Sequence, residues 1–180
     1  IDAGAKTIMI NSGIINGIPV HSSYKILTDL LRNRLGFEGV ILTDWEDINK
    51  LHDRDKIVSS KKEAIRLAIN AGIDMSMVPY EYEEFIDNLM ELVNEGKVTM
   101  DRIDEAVSKI LKLKFELDLF ENPSTSPSDY NDFASEEFQG MAYQSAAEAI
   151  TLLKNNDNIL PFERDKKILV VGPNADNMRC

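Results

Sequence analysis

The chain has 180 residues, with 20 Lys and Arg against 31 Asp and Glu and a net charge of −11 at neutral pH. That length suits one domain or parts of two with a real hydrophobic core, and that charge disfavours the phosphates of nucleic acid and the anionic face of a membrane as partners. The single cysteine, Cys180, excludes an internal disulfide framework and a cysteine-based zinc site, and no apolar run approaches the ~20 residues that span a bilayer.

From Ile1 to Leu117 short apolar runs alternate with amphipathic segments, the pattern of α/β units with parallel strands. Thr7–Ile10 (TIMI) reads as a buried strand and Asn11–Val20 (NSGIINGIPV) as a loop punctuated by Gly and Pro. Tyr24–Leu35 puts Ile26, Leu27, Leu30, Leu31 and Leu35 on one helical face, and Gly36 stops it. Gly39–Thr43 (GVILT) is apolar and β-branched, as befits a strand covered on both faces. Asp44 stands at its C-terminal end. Ser60 and Glu63 have the spacing of a capping box, opening a helix with Ala64, Ile65, Ala68 and Ile69 inward and Gly72 as its cap. Ile73–Val78 (IDMSMV) is a third strand.

Two helices follow. Glu81–Glu95 is expected to bury Phe85, Leu89, Leu92 and Val93 before Gly96, and its acidic run reads as a solvated face. Asp101–Leu117, with Thr99 as N-cap, is expected to turn Ile103, Val107, Ile110, Leu111 and Leu113 inward. The stretch Glu121–Asp132 (ENPSTSPSDYND) is too polar to fold alone and reads as an interdomain linker. Beyond it, Phe133–Lys154 reads as a helix with Phe138, Met141, Ala142, Ala146, Ala149, Ile150 and Leu153 buried, and Lys167–Val171 (KILVV) as a strand. A start at Ile1 without Met and an end soon after one strand suggest a piece of a longer protein, its second domain truncated.

In a parallel α/β barrel, reactive side chains project from the C-terminal strand ends. Asp44 is at such an end and Trp45 follows it, a carboxylate that can attack an anomeric carbon beside an indole that can cover a sugar face. On spacing alone, the commoner role for such an Asp is to cap the helix after it, with Trp45 packed under a loop. A retaining glycosidase also needs a second carboxyl about 5 to 5.5 Å from the first. Glu46 and Asp47 leave the same strand end as Asp44 and are poorly directed for that role. His21 and His52 have no nucleophile elbow to serve, and each reads as a loop histidine bonded to backbone. Met9 and Met75 read as core residues. The segment VVGPNAD follows a strand but lacks the glycine fingerprint and the lysine of nucleotide sites.

The ordered series GAKTIMINS, NGIPVHSSYKILTDLLRNRLGFEGVILTDWEDI, AINAGIDMSMVP, DRIDEAVSKILKLKFELDLFENP, AITLLKNNDNILP and ILVVGPNADN resembles glycoside hydrolase family three, the β-glucosidases and β-glucan exohydrolases, along essentially the whole chain. The resemblance implies the later part of a (β/α)8 TIM-like barrel over residues 1–117, a linker over 118–132 and the start of an α/β sandwich domain over 133–180. It makes Asp44 the catalytic nucleophile, Trp45 a residue of the aglycone side and Met9 a neighbour of the non-reducing sugar, and it puts the acid/base Glu outside this chain. Where similar sequences commonly read Ser-Tyr, with the Tyr near the nucleophile, this one has Asn11-Ser12, and Ser12 is too short to replace that contact directly.

The implied function is retaining hydrolysis of β-linked glucosides by a longer parent that is secreted or periplasmic, with a carbohydrate as partner and no metal or organic cofactor. The 180 residues alone are expected to be inactive. Sugar preference stays open among glucose, xylose and N-acetylglucosamine. A non-catalytic carbohydrate-binding descendant of the same fold is the competing reading.

Overall fold

The computed structural model describes residues 1–173 and 175–176. The chain divides into two units, Ile1–Ser124 and Thr125 onward.

The first unit is built on a parallel three-stranded sheet of order β1 (Thr7–Met9), β4 (Val40–Trp45), β5 (Met75–Met77). Each parallel step needs a long crossover. Between β1 and β4 it is made by a hairpin, β2 (Ile14–Ile15) with β3 (Ile18–Pro19), and by a helix over Lys25–Arg34. Between β4 and β5 it is made by α1 (Asp47–Asp53) and α2 (Lys61–Ala71). Helices α3 (Tyr82–Asn94) and α4 (Met100–Glu116) complete the unit. The α/β reading of this region holds, and all three strands expected there are present.

Several local expectations need correction. The segment read as a plain loop contains the hairpin: Asn16 and Gly17 both have positive φ, 50° and 79°, as a two-residue turn between apolar strands requires. The Lys25–Arg34 helix is π-wound, and Leu35 N–H bonds Leu30 O five residues back. Of the expected apolar face, Leu27 is buried and Ile26 and Leu31 pack against the core, while Leu30 and Leu35 are exposed. The capping box forms only in half: Ser60 Oγ accepts from Glu63 N–H, but the Glu63 carboxylate takes Arg66 Nε at 2.8 Å instead. Thr99 caps α4 as expected, yet along that helix only Ala106 is buried, with Ile103 packed at the core's edge and Val107 and Leu111 exposed.

The core lies between one face of the sheet and the helices, with Leu27, Ile41, Ile48, Leu51, Ile65, Ile73 and Leu92 fully buried. Under the sheet, Asp74 organises the polar groups that the parallel strands leave over. Its carboxylate accepts from Arg32, from Arg102 Nη2 at 2.9 Å and from Ile41 N–H at 2.9 Å. The two guanidiniums go on to bond the carbonyls of Phe37, Gly39, Ile69 and Ile73. Gly39 is obligatory there, since a Cβ would stand 2.2 Å from Lys6 O.

In the second unit, α5 spans Glu136–Ala149 and Ser135 caps it through Phe138 N–H. The stripe expected to be buried is exposed throughout, from Phe138 to Leu153. Lys167–Val171 is not a strand, because among the described residues no neighbouring strand takes up its backbone bonds. Cys180, Asn174 and Asn177, which the sequence reading used, lie outside the described residues.

Candidate active site

Side chains alternate across a strand, and registered neighbours in a sheet share a face. Met9 pairs with Leu42 and Leu42 with Met75, so these three form one row across the sheet. Asp44, two residues beyond Leu42, extends the same face by one step toward the strand's C-terminal end. This is the face opposite Ile41 and Thr43, which point into the core. It is open toward the strand's C-terminal end, where Met9 is 52% and Met75 50% exposed against the expectation that both are core, while Val40, two residues before Leu42, is buried. Two thioethers and a leucine thus pave the surface beside a half-buried carboxylate.

The strand end itself is irregular. The register of β4 against β5 shifts between Leu42 and Trp45, and the gap is filled by Thr43 Oγ1, which accepts from Met77 N–H at 2.8 Å. Glu46 then adopts a left-handed backbone, φ 55°, and its N–H bonds Met77 O. This turn sends the chain sharply into α1. Asp44 does not cap that helix: its Oδ1 accepts from Trp45 N–H at 2.6 Å, and the cap position is Glu46, with no side-chain bond. The helix-capping alternative for Asp44 is therefore excluded. Trp45 is half exposed and meets Tyr80 edge-on, ring centres 6.0 Å apart. It does not pack under a loop.

Beside Asp44 lies a buried polar cluster that the sequence reading did not assemble. Asp47, the first residue of α1, is buried and accepts a hydrogen bond from Ser12 Oγ. Lys50 Nζ is 2.6 Å from its other oxygen, and His21 Nε2 stands 3.5 Å from the oxygen that Ser12 holds. His21 is itself buried, in the turn Val20–Ser22, and Nε2 has no hydrogen-bond partner. Burial pushes the His21 pKa below its ordinary 6.5; Asp47 and then Asp44 pull against that, while Lys50 and Arg54 add to it. His21 is thus a neutral imidazole facing a carboxylate, not a loop histidine bonded to backbone. His52, on α1, pairs with Asp53 at 2.7 Å and stays at the surface. The Ser12 hydroxyl donates its hydrogen bond to Asp47. No local signal marked this cluster, because Ser12, His21 and Asp47 come from separate segments.

Among the described residues no group of three His, Cys, Asp or Glu side chains could hold a metal ion, and no helix is long and apolar enough to cross a membrane. What the cluster and the strand end can do is place one accessible carboxylate, Asp44, at the rim of an apolar floor with an indole alongside.

Residues 1–113 match the glycosyl hydrolase family 3 N terminal domain. The chain belongs to that family. It is 47% identical over 181 residues to the "Lysosomal beta glucosidase" of Dictyostelium discoideum, covering 98% of this chain and 22% of that protein. It is 33% identical to the "Periplasmic beta-glucosidase" of Salmonella typhimurium, covering 99% of this chain and 24% of that one. Among solved structures, the beta-glucosidase from Listeria innocua in complex with glucose superposes with a TM-score of 0.68 at 31% identity, covering 89% of this chain and 22% of that one. This family 3 chain therefore spans 22–24% of the length of those relatives.

Proposed function

We propose that this chain is the nucleophile-bearing part of a retaining glycoside hydrolase that releases terminal β-linked glucose from β-glucosides or β-glucan oligosaccharides. The observation that carries the reading is Asp44: a half-buried carboxylate at the C-terminal end of a parallel strand, on the open sheet face that also bears Met9, in a chain of family 3. Asp44 attacks the anomeric carbon with inversion, the aglycone leaves with a proton from the acid/base, and a water then displaces Asp44 with a second inversion. Met9 contributes the apolar floor under the terminal sugar and Trp45 a wall on the aglycone side.

The second carboxyl belongs to no residue of this chain. Asp47 is excluded by burial, since a substrate oxygen cannot reach a side chain that is 1% exposed and already bonded to Ser12. The acid/base Glu is assigned to the remainder of a protein of its relatives' length. In that protein, residues 1–117 form the later part of a (β/α)8 barrel, 118–132 the linker and 133–180 the start of an α/β sandwich domain. No metal or organic cofactor takes part. Secreted or periplasmic placement fits the names of the relatives, lysosomal and periplasmic.

The test is to treat the full-length enzyme with a 2-fluoro-glucoside and map the adduct. Labelling on Asp44 is expected, and Asp44→Asn should lower kcat by at least about 10³-fold while sugar still binds, because an amide cannot form the glycosyl ester. An adduct on any other residue overturns the assignment. A 2-fluoro-xyloside run in parallel reads the sugar preference. The isolated 180 residues should turn over no aryl glucoside.

A further inference from the structure

The carboxylate of Asp44 has a single hydrogen bond among the described residues, from Trp45 N–H. Its direction must therefore be set by the backbone that carries it, and that backbone is tied down within three residues. Glu46 N–H is held by Met77 O of β5, in a left-handed conformation that a non-glycine residue keeps only when its surroundings enforce it. Asp47, the next residue, is the enforcing anchor. Its buried carboxylate draws together groups from three other points: the Ser12 hydroxyl from the segment before the hairpin, His21 from the turn after it, and Lys50 from α1 one turn on. The hairpin between Ser12 and His21 is closed by Val20 N–H on Gly13 O. One carboxylate thus bonds the near end of the hairpin to the strand end and lies 3.5 Å from the imidazole at its far end.

We propose that Asp47, through its bond from Ser12 and its contact with His21, is a positioning residue that sets the attack direction of Asp44. This rests on the assignment of Asp44 as nucleophile. Asp47 touches no substrate; it acts by fixing the turn between them. A cluster that only held the hairpin in place would affect stability alone, whereas misplacing a nucleophile by an ångström slows its attack even in a fully folded protein.

The experiment measures the rate constant with which a 2-fluoro-glucoside labels Asp44 in the full-length enzyme, well below the thermal transition of each variant. Ser12→Ala removes one partly buried hydroxyl and should fold. It is expected to slow labelling about tenfold with little change in the sugar concentration that half-saturates it, and Ser12→Thr, which restores the hydroxyl, should recover the rate to within about twofold of the parent. Asp47→Asn, if it folds, is expected to slow labelling at least as much as Ser12→Ala. Unchanged labelling rates in Ser12→Ala, with only the melting temperature lowered, would overturn the positioning role and leave Asp44 as nucleophile. Failure of the parent enzyme to be labelled at Asp44 would overturn both readings.

Discussion

At the scale of single residues, His21 makes the chain's stability sensitive to mild acid. Its pKa in the folded chain is held below the ordinary 6.5, chiefly by burial. Above 6.5 the imidazole is neutral in both folded and unfolded chains and its burial costs nothing extra. As pH falls through 6.5 the unfolded chain takes up a proton that the folded chain refuses, so stability declines toward the lowered folded value, by at most ~1.4 kcal/mol per pH unit. Urea midpoints compared between about pH 7.5 and about pH 5.5 should show this loss, and His21→Gln should shrink it. Equal losses in parent and variant would assign the acid sensitivity to other groups. His21 also shows where the sequence stopped short. Its neighbours Ser12 and Asp47 lie 9 and 26 positions away, and no local pattern tells a surface histidine from one that closes on a distant carboxylate. The place of Asp44 was more legible, because a strand end is itself a local signal.

At the scale of elements, the fold of the first unit was legible wherever a segment's own pattern decided it. β4 with its β-branched run, α2 between Ser60 and Gly72, and α4 behind Thr99 all stand within a residue or two of expectation. The Asn16-Gly17 turn was a local signal passed over; other misses depended on hydrogen bonds or packing from outside the segment. The bulge of β4 against β5 is of this kind. So is the clamp that joins elements through Asp74, where Arg32 of the π-wound helix and Arg102 of α4 meet the strand amide of Ile41. Asp74→Ala would leave two largely buried guanidiniums and one amide without their acceptor, and should cost about 3–5 kcal/mol in unfolding free energy. Calorimetry or urea unfolding would show it; a loss below about 1 kcal/mol would mean the arginines are held by the carbonyls alone.

At the scale of the whole chain, the two units answer differently to the same kind of sequence. The first has a continuous core fed by the sheet, the hairpin crossover and α1 to α3. In the second, α5 is bounded where its cap predicts, but its apolar side has nothing to rest on among the described residues, and KILVV finds no strand to join. Periodicity announces which side of a helix can be buried; only a partner surface buries it. The unpaired run Ile168–Val171 has one further consequence, for how the protein behaves in a tube. Four adjacent aliphatic side chains, all more than half exposed, with neither charge nor proline among them, make a template for β-pairing between copies. Even with a net charge of −11 to keep copies apart, the 180-residue chain should aggregate as its concentration rises. Val170→Lys should suppress that in light scattering by putting a charge in the middle of the run; undiminished scattering would clear these four residues of the blame.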